Sequence, residues 1–205
     1  YKNENKNFMF SNYSLSVDKG SLYNDTFIWS SINNTYKIPK KYNVISKAIT
    51  ISPDNIPFKN KVLLSHSNDK NGAIFQFIQD KWIYIQNSNI ENLNATITTG
   101  GTFAVLTENI KPDISNVFPN FNSNYKANDV NIISFNLIDK ESGVNDQKIE
   151  IHLNGEKLYY DYIRYRDLVA AKAKYELIIG KNHLSIKCSD NLGNISQIEG
   201  HFTIE

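Results

Sequence analysis

One pattern constrains this chain more than any other: short runs in which apolar and polar residues alternate, each closed by Asn, Asp, Gly or Ser. Ile149-Glu150-Ile151-His152-Leu153 is the clearest, and it runs straight into Asn154-Gly155. A period of two puts successive side chains on opposite faces of a pleated strand. Asn-Gly tolerates the positive φ angles of a type I′ hairpin turn. The chain is therefore expected to reverse there and return along Lys157-Leu158-Tyr159-Tyr160. The same alternation marks Val130–Leu137, His183–Cys188 and His201–Ile204. In the first half it marks Thr26–Ser30, Ile49–Ile51, Lys61–Ser65, Ala73–Ile78, Lys81–Gln86, Leu93–Thr98 and Thr102–Leu106, with a turn at Gln79-Asp80. Strands at this spacing, with turn chemistry between them, predict sandwiches or barrels.

One segment, Asp167–Leu177, is rich in helix formers. A short helix is the alternative there, but a strand at Leu168–Ala173, placed at a sheet edge, fits the surrounding pattern better. The polar connector Thr107-Glu108-Asn109-Ile110-Lys111-Pro112-Asp113 separates two halves, since Pro112 favours extended backbone around it and a new apolar run begins at Ile114. Two β-sandwich domains are expected, 1–108 and 109–205, each of roughly 100 residues.

Charge and composition exclude several classes. Lys and Arg total 22 against 21 Asp and Glu, and the basic residues are spread along the chain, so no phosphate-neutralising face is foreseen and no nucleic-acid partner. The single cysteine, Cys188, rules out an internal disulfide and paired-thiolate metal sites. It falls in the apolar phase of its strand and reads as an inert buried thiol. No apolar run is long enough to span a bilayer. The opening Tyr1-Lys2-Asn3-Glu4-Asn5-Lys6-Asn7 is no signal peptide, and the missing initiator Met points to a piece of something longer, with any export signal upstream.

The second half carries Pro112-Asp113-Ile114, Asp139-Lys140-Glu141-Ser142-Gly143-Val144, Leu153-Asn154-Gly155, Leu177-Ile178-Ile179-Gly180-Lys181-Asn182-His183 and Asp190-Asn191-Leu192-Gly193-Asn194. In this layout it resembles bacterial immunoglobulin-like domains. The first half, with Gly20–Thr26, Tyr36-Lys37-Ile38-Pro39 and Gly101–Val105, resembles the module that often precedes such a domain. The tandem is similar to the C-terminal regions of exported M23-type (lysostaphin-like) metallopeptidase chains. The resemblance covers nearly the whole chain, but its motifs are mostly turn chemistry. It implies an all-β chain of two consecutive immunoglobulin-like β-sandwich domains, bacterial, secreted or in the cell envelope, monomeric, and joined to an upstream domain of the same chain.

A peptidase of that kind needs His-x-x-x-Asp and His-x-His to hold zinc. His66, His152, His183 and His201 make neither, so no catalytic residue, metal ligand or cofactor is assigned and the chain is read as no enzyme. Alternation turns His152, His183 and His201 to the polar faces of their strands, as solvated side chains or as a cluster across neighbouring strands. Asp139, Glu141 and Asp146, with Asp190 and Asn194, supply oxygens that suit calcium, or that cap their own turns. Trp82 and Tyr84 share one strand face, and Tyr159, Tyr160, Tyr162 and Tyr165 crowd one region. Trp82, Tyr84, Tyr159 and Tyr160 are the candidate ligand-binding residues, able to stack on sugars if exposed and otherwise filling the core. The expected function is a non-catalytic spacer or docking module. Its alternatives are a module binding cell-wall or extracellular glycan and a cell-surface adhesion module.

Overall fold

The computed structural model describes residues 2–32, 36–54, 56–67, 72–86, 93–173 and 177–205. Among these residues it contains nineteen strands and three short 3-10 turns, and the chain is all-β. No helix among them is long and apolar enough to cross a membrane. The chain divides into two compact units, Tyr1–Glu108 and Asn109–Glu205.

In the first unit, β1 (Lys6–Phe10), β2 (Tyr13–Val17), β6 (Pro57–His66) and β9 (Leu93–Thr99) form one antiparallel sheet in the order β1-β2-β6-β9. The second sheet has the order β3-β5-β10-β7-β8, built from β3 (Trp29–Ile32), β5 (Ile49–Ser52), β10 (Gly101–Thr107), β7 (Ala73–Ile78) and β8 (Lys81–Tyr84). A two-residue strand, β4 (Asn43–Val44), pairs with the end of β10. Alternate residues of both sheets meet in one core: Tyr13, Leu15 and Leu64 from the first, and Ile51, Phe103 and Val105 from the second.

The first two strands escaped the sequence reading, although Tyr13-Ser14-Leu15-Ser16-Val17 alternates cleanly and is buried at every second position. The strand expected over Thr26–Ser30 lies further on, at Trp29–Ile32. The Gln79-Asp80 turn forms where expected, with both residues at positive φ, 47° and 61°.

The second sheet is covered on both faces. Thr102, Ala104 and Leu106 alternate away from the shared core, yet each is at most 4% exposed. Tyr36 and Tyr42, between β3 and β5 in the chain, lie against this outer side. Tyr36 packs edge-on against Phe77 at 4.6 Å and Trp82 at 6.5 Å, and Tyr42 against Phe75 at 5.4 Å. A strand buried on both faces has no need of polar alternation, which is why β10 reads Gly-Thr-Phe-Ala-Val-Leu-Thr.

In the second unit, β11 (Asp113–Phe118), β13 (Ile132–Ile138), β17 (Leu168–Lys172) and β16 (Tyr160–Ile163) form a sheet in the order β11-β13-β17-β16. Facing it are β12 (Asn124–Tyr125), β19 (Ile195–Ile204), β18 (Gly180–Ser189), β14 (Glu150–Leu153) and β15 (Glu156–Lys157), in the order β12-β19-β18-β14-β15. All pairings are antiparallel except β12 with β19. Phe135, Leu137 and Val169 from one sheet meet Ile151, Ile186 and Phe202 from the other in a buried core.

Two expectations are corrected here. The hairpin turns at Asn154-Gly155, at φ 54° and 92°, but the returning strand ends at Lys157. Leu158 is 4% exposed, and the chain then passes to the opposite sheet as β16. The helix-rich segment forms β17, with no helix among its described residues; positions 174–176 lie outside them. β17 is an interior strand rather than an edge, paired with β13 and β16, because Val169 and Ala171 both face the core.

Asn182 anchors this unit. It is fully buried, and its side chain makes four hydrogen bonds. Its Oδ1 accepts from Ile178 N–H at 3.0 Å and from Asn154 Nδ2 at 2.9 Å, and its Nδ2 donates to the carbonyls of Ile178 at 2.8 Å and Gly180 at 3.0 Å. A buried amide so satisfied fixes the geometry of both turns it touches.

Gly200 faces inward on β19, where a Cβ would lie 2.5 Å from the Phe121 ring. Phe121 thus fills the space of the missing side chain. Gly200→Ala should lower unfolding free energy by about 1–3 kcal/mol through overpacking. In a Phe121→Ala background the same change should cost much less, giving a coupling measurable by denaturant titration of the four variants.

Candidate functional site

The four aromatic candidates separate by burial. Trp82 is 4% exposed and packs against Phe77, with ring centroids 5.3 Å apart. Tyr84 is half-buried against Phe75 at 5.7 Å. Trp82 is thus enclosed, while Tyr84 beside it on the same strand face is partly open. Tyr159 is 96% exposed, and with Tyr160 it lines a cleft of about 500 Å³ in the second unit. Ile132, Leu158 and Ala170 supply its apolar lining, with Lys157, Lys172 and Asp161 as its charged groups.

The half-buried Tyr160 ring is pinned. Its hydroxyl donates to the Asp146 carbonyl at 2.6 Å, and Arg164 pairs with the Asp146 carboxylate. Burial raises the Tyr160 phenol above its ordinary range, with the nearby Asp146 charge adding to the shift. The cleft thus has one fixed aromatic and one aromatic projecting into solvent. Among the described residues no ion pair engages Lys157 or Lys172.

A second cleft, of about 430 Å³, lies in the first unit and was not foreseen. It is lined by Tyr23, Phe27, Trp29, Pro53, Ile56 and Phe58 among others, of which Phe27 is 77% and Trp29 50% exposed. The sequence signal was present in Thr26-Phe27-Ile28-Trp29, but alternation does not tell which neighbour is covered. Ile28 is buried, and the two aromatics on either side of it face out. At the rim, the Asp25 carboxylate accepts the Lys2 backbone N–H at 2.8 Å.

In the acidic turns one carboxylate oxygen of Asp139 and one of Asp190 accept backbone N–H groups, Asp190 Oδ2 accepts from Asn194 Nδ2, and Asp139 Oδ2 is buried with no hydrogen-bond partner among the described residues. Asp139 Oδ1 accepts from the N–H groups of Glu141 at 3.1 Å and Gly143 at 2.6 Å. Asp190, 1% exposed, accepts from Leu192 N–H at 2.9 Å and Asn194 N–H at 2.8 Å. Asn191 Nδ2 donates to the carbonyls of Ser142 and Gly143, tying one turn to the other. This is turn capping. Glu141 and Asp146 do not join the pair as ligands of a common point, since no three such donors are gathered among the described residues.

His152, His183 and His201 face outward on neighbouring strands, and His183 and His201 are in contact. His66 is buried, edge-on to Tyr13 at 4.5 Å. Cys188 is 1% exposed, and burial pushes its thiol up to about 11, which keeps it protonated and unreactive at neutral pH.

Trp82→Ala should remove about 3–5 kcal/mol of stability from the first unit, read by denaturant unfolding, because the ring is core rather than contact surface. Asp139 gives a pH test. Burial holds its carboxyl above the ordinary range, with the Asp190 charge contributing and the two turn amides opposing. A raised folded-state value means the stabilisation is complete below the unfolded value and is lost as pH rises through the folded one. Asp139→Asn keeps the turn acceptor without the charge. It should flatten this acid-range dependence and melt no lower than the parent at pH 7, whereas Asp139→Ala should lose about 1 kcal/mol. Thermal melts of the three proteins across the acid range check this.

No protein-family model matches the chain, and no curated protein matches it.

Proposed function

We propose that this chain is a non-catalytic accessory segment of an exported bacterial protein, made of two immunoglobulin-like β-sandwiches that dock the parent protein on a polysaccharide. The observation that carries the reading is the cleft lined by Tyr159 and Tyr160 together with Lys157 and Lys172, two cations against the single carboxylate of Asp161. Ring faces suit the apolar faces of sugars, while lysines in the same lining suit carboxylate-bearing ones. An acidic cell-wall or extracellular glycan is the ligand class that uses both.

The sandwich part of the reading is supported by the facing sheets of each unit and by turns whose Asp and Asn residues cap backbone groups. The resemblance to regions that follow M23-type peptidase domains supports an upstream partner in the same chain.

The test is a glycan array together with a peptidoglycan pull-down, using the chain and its Tyr159→Ala and Lys157→Gln/Lys172→Gln variants. Saturable binding to an acidic glycan is expected, weakened about tenfold (~1.4 kcal/mol) by Tyr159→Ala. Added salt should weaken it further, and the double lysine variant should lose most of that salt dependence. Binding unchanged in Tyr159→Ala would overturn the assignment of the cleft. No binding to any glycan would leave a spacer as the function.

A further inference from the structure

His183 and His201 stand directly opposite each other on β18 and β19. The His183 carbonyl accepts from Asn154 N–H at 2.8 Å, and the His183 N–H donates to Asn154 Oδ1 at 2.9 Å, both on the β14 side. The His201 carbonyl accepts from Asn122 N–H at 2.6 Å on the opposite side. Neither residue spends these groups on the other. They form a non-hydrogen-bonded cross-strand pair, the kind in which opposed side chains approach most closely. Their ring centroids are 4.8 Å apart, with the planes at 50°.

Alternation turns both rings out of the core, whose side is taken by Leu184 and Phe202. Glu199 shares this outer face, and its Oε2 lies 3.9 Å from His183 Nε2. His201 Nδ1 is buried, with no hydrogen-bond partner among the described residues, which leaves Nε2 as the nitrogen available to a ligand.

We propose that His183 and His201, with Glu199 as third donor, bind a late first-row transition-metal dication on this face of the second unit. Neutral imidazoles suit copper, nickel and zinc, and two of them plus one carboxylate leave positions open for water. The three donors are not yet gathered round one point. The Glu199 side chain, 63% exposed, is free to rotate and close the set. Imidazole nitrogen binds Cu²⁺ more tightly than Zn²⁺ in the usual order of divalent affinities, so copper should bind more tightly here. Oxygen-seeking Ca²⁺ should not compete.

The experiment uses the untagged chain, titrated calorimetrically with Cu²⁺, Zn²⁺ and Ca²⁺ at neutral pH. One copper site and a weaker zinc site are expected. Each metal should raise Tm when present in about hundredfold excess over its Kd. His183→Gln and His201→Gln should each weaken binding more than tenfold. Glu199→Gln should weaken zinc, and His152→Gln should change nothing. If a histidine variant misfolds, selective paramagnetic broadening of the His183 and His201 ring signals by Cu²⁺ in the parent chain reads the same contact. Absence of binding by either transition metal at about 1 mM (Kd weaker than ~4 kcal/mol of binding) would overturn the proposal. Undiminished binding in the His183→Gln/His201→Gln double variant, or broadening centred on other residues, would do so too.

Discussion

With one cysteine and no disulfide, the second unit depends on side-chain amides and carboxylates to hold its turns. Asn182 and Asp190 do most of this. Each is buried at one end of β18 and satisfies backbone groups of the turn beside it, and Asn154 and Asn191 extend the two networks to the turns across the sheet. Placing polar residues where hydrophobic ones would otherwise pack is tolerable only because every bond is completed. Both ends of the longest strand pair, β18 with β19, are thereby fixed in register, and that register is what sets His183 opposite His201.

The first unit solves a different problem. Its second sheet carries apolar side chains on both faces, and Tyr36 and Tyr42, between β3 and β5 in the chain, lie against the outer one. Aromatic rings supply large contact area with few rotatable bonds, so a few of them can cover a sheet without a helix or a third sheet. The consequence for recognition is that aromatic residues in this protein divide by layer: Trp82 belongs to the covering layer's contacts, whereas Trp29 and Tyr159 remain open.

What could be read from sequence was local. Alternation located β7, β13, β14 and β18 to within a few residues and caught only the last four residues of the ten in β19, and Asn154-Gly155 announced its turn because only two residues and their φ angles decide it. Alternation also placed Trp82 and Tyr84 on one face. It could not say that Trp82 is covered there, since the cover comes from residues some forty positions earlier. The returning strand was misjudged for a similar reason: Lys157-Leu158-Tyr159-Tyr160 has strand character throughout, but Leu158 is drawn into the core and the pairing partner changes. Likewise each outward histidine was legible singly, while their contact follows from the pairing register of two strands. The open side chains of Phe27 and Trp29 were hidden by an unbroken apolar run.

The uneven placement of tryptophan has a practical outcome. Both indoles, Trp29 and Trp82, belong to the first unit, and none lies in 109–205. Intrinsic emission excited at the red edge of protein absorbance will therefore follow the melting of one half of the molecule while the other half unfolds unseen. Of the two emitters, Trp82 in its enclosed site will shift to longer wavelength on denaturation far more than the half-exposed Trp29. Tyrosine signals or far-ultraviolet dichroism must supply the second half of any unfolding curve.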